Sequence, residues 1–210
     1  MSKIAEVKAM VEAGKAKLVP GLVQEALDEG NAAGDILEGM IESMGVVGDK
    51  FSSGELFVPE MLMAAKSMSK GVDVLRPLLT GESARSLGTC VIGTVAGDLH
   101  DIGKNLVAMM LESVGFTVVD LGVDVSAEKF VNAAKENDNV KLVACSGLLT
   151  TTMPAMKETV NLLKSSGLSG IKVIVGGAPV SQEMAETIGA DGFAADAGGA
   201  AVKAKELVSA

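Results

Sequence analysis

In CVIGTVAGDLHDIGKN, which runs from Cys90 to Asn105, a short apolar run gives way to a Gly-bearing polar turn and then to a helical pattern. Cys90–Val95 is rich in β-branched residues and predicts a strand, and the spacing after it predicts a helix from about Ile102 to Val114. The same unit recurs downstream. TVVDLG (117–122), KLVACS (141–146), KVIVGG (172–177) and GFAA (192–195) are further strand candidates, separated by amphipathic segments. The helix expected from Pro154 to Ser166 has proline at its start and Gly167 just past its end. Strands alternating with helices predict a parallel α/β sheet covered on both faces, and five strands of this length fit a flavodoxin-like (Rossmann-like) order of 2-1-3-4-5.

Upstream the period changes. Ile4, Val7, Met10 and Val11 recur at helical steps, then Leu18, Leu22, Ala26 and Leu27, then Ile36, Leu37, Met40, Ile41 and Met44. A fourth helix is expected to open at Pro59, with Glu60 near its positive end, and to run through Met61, Leu62, Ala65, Met68 and Val72 to Leu79. Residues 1–85 therefore read as a four-helix bundle and residues 86–210 as the α/β domain. TGESARSLG (80–88) serves as the linker.

Composition removes several function classes. The chain has 27 acidic against 18 basic residues and a formal net charge of −9, with no Trp or Tyr and five Phe. Nucleic acid is not an expected partner, because phosphate contacts need a basic patch and base stacking needs aromatic platforms. The apolar runs fall short of the roughly 20 residues that span a bilayer, and the charged N-terminus lacks a secretory core, so a cytoplasmic protein without membrane contact is expected. Cys90 falls near the start of one strand and Cys145 near the end of another. They read as buried apolar residues too far apart to bridge.

A parallel sheet of this order binds ligands at the carboxyl ends of its strands, beside the switch between strands one and three. The loops after Val95, Cys145 and Val175 carry GDLHDIGKN, SGLLTTTMP and GGAPV, and the loop after the last strand carries ADAGG. Gly, hydroxyl, carboxylate and imidazole groups thus gather on one rim. Taken alone, Asp98-x-His100 is a weak signal. A lone histidine is more often a bystander, Asp98 could form an Asx-turn, and Asp101 could cap a helix.

The conjunction of loops is more specific. The run Gly97-Asp98-Leu99-His100-Asp101-Ile102-Gly103-Lys104-Asn105, with Ser146-Gly147-Leu148 and Gly176-Gly177, resembles the cobalamin-binding modules of corrinoid-dependent methyltransferases, methionine synthase among them. The helical region with Phe57-Val58-Pro59-Glu60-Met61 looks like the bundle that caps the corrin there. The resemblance covers nearly the whole chain in family order.

It implies that His100 replaces the cofactor's benzimidazole as lower cobalt ligand. Asp98 would orient the ring, and Thr152 would extend the relay where methionine synthase has serine. Thr152 could also simply cap the helix at Pro154. The displaced nucleotide tail would enter a slot lined by Gly103, Gly147, Gly176 and Gly177, with Ser146 bonding it and Leu148 packing against it. Leu99, Asp101, Ile102, Thr150, Asp196 and Ala197 are counted with the binding residues, and Phe57 and Met61 as shields of the upper cobalt face. The implied cofactor is a cobalt corrinoid, methylcobalamin, hydroxocobalamin or a relative. The implied activity is methyl shuttling as a subunit without turnover of its own. A substrate-specific methyltransferase would load the methyl group, and a second methyltransferase acting on coenzyme M or tetrahydrofolate would remove it. A reductive activation protein is a further candidate partner. Rival readings are the cobalamin subunit of an adenosylcobalamin mutase and a cobalamin-dependent sensor; the helical region favours the methyltransferase group over the first, and the lack of a basic DNA-binding domain speaks against the second.

Overall fold

The computed structural model describes residues 2–78 and 87–209. Its chain divides into two compact units, one carrying the first four helices and one carrying the sheet. In the first unit, α1 (Lys3–Glu12), α2 (Val19–Asp28), α3 (Ala33–Ser52) and α4 (Val58–Leu75) form a bundle in which α1 packs on α2 and α3, and α4 packs on the same two. The helical spacing becomes burial at Val7, Val11, Ile36, Met40, Met44, Met61 and Met68, whereas α2 turns Val19, Val23 and Ala26 inward and leaves Leu18 exposed, so its buried face is not the one the leucines suggested. Ser2 opens α1 by accepting a hydrogen bond from the Ala5 N–H.

The fourth helix departs from expectation at both ends. It opens at Val58, because the Glu60 carboxylate reaches back 2.7 Å to the free Phe57 N–H and makes Phe57 the cap. It closes at Leu75 and tightens into a 3-10 turn over Arg76–Leu78. Pro77 has no N–H to continue the ladder, so the α-helix stops there. Leu79 and the linker residues 80–86 lie outside the described residues, while Gly88 belongs to the first strand.

The second unit realises the order read from the sequence. The elements are β1 (Gly88–Thr94), α5 (Ile102–Ser113), β2 (Phe116–Asp120), α6 (Ala127–Glu136), β3 (Val140–Ser146), α7 (Met153–Ser165), β4 (Lys172–Gly176), α8 (Gln182–Ile188), β5 (Gly192–Ala194) and α9 (Ala197–Ser209). Every strand is parallel to its neighbours in the order β2-β1-β3-β4-β5. β1 sits inside and is buried along its whole length, which is why its sequence shows no polar alternation.

Register sorts the core into two layers. Val91, Val143 and Val173 stand abreast on one face and join Phe130, Met156 and Val160 from α6 and α7. Ile92, Ala144 and Ile174 stand abreast on the other. Cys90 pairs with Leu142, and Cys145 pairs with Gly93, so the two thiols lie three residues apart and on opposite faces. Both are free and buried, as their apolar setting suggested, and burial pushes each thiol up, that of Cys145 to about 12.

Candidate functional site

The end of β1 determines where the loop chemistry points. Thr94, fully buried, donates its hydroxyl to the His100 carbonyl at 2.8 Å and so ties the far side of the loop back to the strand. Gly97 turns the chain with φ +82°, a conformation that side chains rarely adopt. Asp98 follows with its carboxylate withdrawn from solvent and fully engaged. Its Oδ1 accepts from the His100 backbone N–H at 3.0 Å, which closes an Asx-turn, and lies 2.6 Å from the His100 Nδ1. Its Oδ2 accepts from the Leu148 N–H at 2.6 Å, the Leu149 N–H at 3.3 Å and the Thr152 hydroxyl at 3.4 Å. The turn and the pairing with histidine are therefore simultaneous roles of one carboxylate.

Burial alone would raise the pKa of Asp98. The N–H groups of Leu148, His100 and Leu149 and the His100 ring outweigh it and hold the carboxyl down at about 2. An ionised carboxylate can only accept, so Nδ1 carries the proton in this pair. That leaves the Nε2 lone pair free on a side chain that is 53% exposed. Asp98 thus holds the imidazole in one tautomer with Nε2 as its available nitrogen.

The surroundings of His100 are apolar and open. Leu99, Ile102, Leu148 and Leu149 are exposed large hydrophobic residues on the first and third loops. A directed imidazole flanked by exposed leucine and isoleucine fits a large ring system that presents a metal to nitrogen and carbon edges to the protein. Among the described residues no cluster of three or more His, Cys, Asp or Glu could hold a bare ion. One nitrogen is what this site offers.

Thr152 stands one residue before α7, yet its hydroxyl makes no capping bond. It donates to the Leu149 carbonyl at 2.9 Å, with the Asp98 contact the longer of the two. The capping alternative is therefore set aside; the hydroxyl faces the third loop and the carboxylate. Asp101 is exposed ahead of α5 and makes no capping bond with its side chain among the described residues; its carbonyl accepts from the Asn105 N–H.

The four glycines do different work. A Cβ on Gly177 would strike the Gly147 carbonyl, and one on Gly176 would meet the Ala194 carbonyl at 2.8 Å. Gly147 itself lies against Met153 and Met156 and donates its N–H to the Gly176 carbonyl. These three close the loops after β3 and β4 onto each other. Gly103 alone faces open space within 4 Å of where a Cβ would stand. Ser146 ends β3 half-buried, and its hydroxyl makes no hydrogen bond among the described residues. Thr150 is exposed at the start of a 3-10 turn. Asp196 accepts from the Gly199 N–H at 2.8 Å at the start of α9, and Ala197 is buried in its first turn. In the helical unit Phe57 is 67% exposed, whereas Met61 is fully buried.

One side of the site was absent from the sequence reading. The loop between β2 and α6 contributes Asp124, whose Oδ1 accepts from the Gly97 N–H at 2.7 Å and whose N–H donates to the Asp98 carbonyl at 3.0 Å. Nearby, the buried Lys104 amine bonds Asn105 and pairs with Asp120 at the end of β2. GVDVS (122–126) has no motif that announces this, although a lone aspartate beside Gly122 is a turn signal.

With this geometry in place, relatives follow. Residues 88–205 match a family model described as a B12 binding domain, and residues 4–76 match a second B12 binding domain model. Dimethylamine corrinoid protein 1 of Methanosarcina acetivorans is 44% identical over 205 residues, covering 97% of this chain and 90% of that protein. A corrinoid protein of Desulfitobacterium hafniense is 39% identical over 213 residues, covering 99% and 98%. Among solved structures, a cobalamin-binding protein from Desulfitobacterium hafniense superposes with a TM-score of 0.84 at 31% identity, covering 97% of this chain and 98% of that one. A chain of the methanol:cobalamin methyltransferase complex from Methanosarcina barkeri gives 0.81 at 30% identity, covering 99% and 80%. The helical unit and the sheet unit both find their counterparts in the same group: the chain belongs to the B12-binding corrinoid proteins.

Proposed function

We propose that this protein is a methyl carrier that holds a cobalt corrinoid with its own nucleotide base displaced and His100 in its place. The observation that carries the reading is the His100–Asp98 pair, which leaves Nε2 available on a half-exposed imidazole, in loops that also expose Leu99, Leu148 and Leu149. When bound, the cobalt supplies a nucleophilic centre that can accept and give up a methyl group. The chain's own residues bind, orient and manage a proton. Asp98 fixes the tautomer of His100, and its lowered pKa keeps it ionised, so a proton entering the pair comes to rest on the imidazole. The Leu148 and Leu149 N–H groups hold Asp98 in place while their side chains remain exposed to meet the ring. Ser146, with its uncommitted hydroxyl, and Gly103, with its open side, are the groups suited to receive the nucleotide tail. Phe57 is the exposed apolar candidate for shielding the upper face.

Several relatives are dimethylamine corrinoid proteins, and one structural neighbour belongs to a methanol:cobalamin methyltransferase complex. They support a methylated amine or alcohol as the source of the methyl group. Loading then falls to a substrate-specific methyltransferase, and unloading to a second methyltransferase that acts on coenzyme M or tetrahydrofolate. Binding is tested by loading the purified chain with hydroxocobalamin and comparing its visible spectrum with that of His100→Ala. Stoichiometric binding with a change in the axial-ligand bands on substitution is expected. Identical spectra from two fully loaded proteins would reject His100 as ligand.

A further inference from the structure

We infer that Asp124, in the loop between β2 and α6, is a positioning residue that sets the direction of the His100 imidazole by clamping the backbone that carries Asp98. The inference rests on the corrinoid reading for its purpose, though not for its geometry. Asp124 holds the Gly97–Asp98 backbone at both ends, at the N–H of Gly97 and at the carbonyl of Asp98. Its Oδ1 accepts the Gly97 N–H at 2.7 Å, and its own N–H donates to the Asp98 carbonyl at 3.0 Å. Because Gly97 sits at φ +82°, this turn has little steric restraint of its own. The clamp supplies what glycine withholds.

The clamp is itself braced. Thr94 N–H donates to the Gly122 carbonyl at 3.0 Å, and Val125 N–H donates to the Thr94 carbonyl at 2.9 Å, so the loop is stitched to the end of β1 on either side of Asp124. The Thr94 hydroxyl then holds the His100 carbonyl. Position 100 is tied directly to the end of β1, and positions 97 and 98 are tied to it through the loop that carries Asp124.

The backbone of Asp124 adds a second observation. It adopts φ +51°, in the left-handed region. Glycine would occupy that conformation without steric cost, and Gly122, two residues earlier, does so at φ +84°. An aspartate there exchanges some backbone ease for a carboxylate, and that carboxylate is exposed except for its bond to Gly97. Its one described side-chain partner is the turn beneath the histidine.

The experiment uses the cofactor-free full chain, because a protein with one histidine gives one imidazole in its nitrogen NMR spectrum. At alkaline pH the wild type is expected to show the Nδ1–H form with an unprotonated Nε2. Asp124→Asn retains an oxygen that can accept from Gly97 and is expected to keep that form. Asp124→Gly keeps the left-handed backbone and drops the acceptor. It is expected to lower the ratio of Nδ1–H to Nε2–H tautomer about fivefold, the size expected when about one hydrogen bond is lost. The Gly97 amide should exchange with solvent faster in Asp124→Gly and not in Asp124→Asn. The same Gly variant, loaded with hydroxocobalamin, should lose part of its histidine-ligated spectrum. An unchanged tautomer ratio in folded Asp124→Gly overturns the proposal, as does a ratio that falls equally in Asp124→Asn. Neither result would touch the cofactor reading, which fails separately if wild type and His100→Ala give identical loaded spectra.

Discussion

Asp98 decides what the histidine can do, and its demands can be measured without a cofactor. A buried carboxylate with N–H donors on both oxygens is stabilising only while it is ionised. Its folded pKa of about 2 lies below the ordinary 3.8. The stabilisation it confers is therefore fully present above about pH 4 and is lost as pH falls through about 2. Acid unfolding of the cofactor-free chain should show this loss, and Asp98→Asn should remove that part of the pH dependence while lowering stability at neutral pH. Replacement by alanine leaves the N–H groups of Leu148, Leu149 and His100 without their acceptor and should cost about 1–3 kcal/mol in urea titrations. Equal acid slopes for wild type and Asp98→Asn would mean that the carboxylate is not held down as described. At this scale the sequence was informative about identity and weak about partners. One imidazole two residues after an aspartate can be read directly. That the aspartate serves a turn, a ring and a distant loop together depends on the fold bringing back Leu148, 50 positions further along the chain.

At the scale of elements, glycines in similar sequence settings have separable duties. Gly177 lies at φ +129° with the Gly147 carbonyl where a Cβ would stand, so Gly177→Ala adds strain and a backbone clash. A loss of at least about 2 kcal/mol of stability is expected. Gly103 sits in the first turn of α5 with open space before it. Gly103→Ala should hold or raise stability by up to about 1 kcal/mol, as alanine favours helix, yet weaken hydroxocobalamin binding about tenfold if the corrinoid approaches there. Thermal unfolding and spectral titration of both variants check the pair; equal effects on folding and binding in each would remove the distinction. The strands and their order were legible because a parallel sheet buries whole β-branched runs and leaves Gly-bounded loops at one rim. The shared duty of Gly147, Gly176 and Gly177 was not, because close approach between loops leaves no periodic trace. Asp124 escaped notice for a related reason. β2 is the edge strand beside β1, so its loop lies on the flank of β1 away from the switch point between β1 and β3.

For the whole molecule, the B12 binding domain models fall on residues 4–76 and 88–205, one on each unit. The helical unit supplies an exposed Phe57, and the sheet unit supplies an exposed His100 with its apolar neighbours. Neither unit brings together, among the described residues, a group of acidic, histidine or cysteine side chains able to bind a metal for activating an amine or an alcohol. Transfer from an unactivated methyl donor needs a site that positions the donor against the nucleophile, since orientation supplies much of the rate. On the carrier reading, both halves of the reaction fall to partner proteins. With hydroxocobalamin bound and a reductant present, the chain alone should leave dimethylamine or methanol unconsumed above the rate of free cofactor. Addition of a cognate substrate methyltransferase should produce the methylated cofactor spectrum, and a second methyltransferase with coenzyme M or tetrahydrofolate should discharge it. His100→Ala should slow both halves, because both draw on the same axial nitrogen, whereas a variant of Phe57 should act through exposure of the upper face and leave the spectrum of the lower ligand in place. Turnover by the isolated chain at the rate of the mixture would show that a substrate site resides in it and would end the carrier reading.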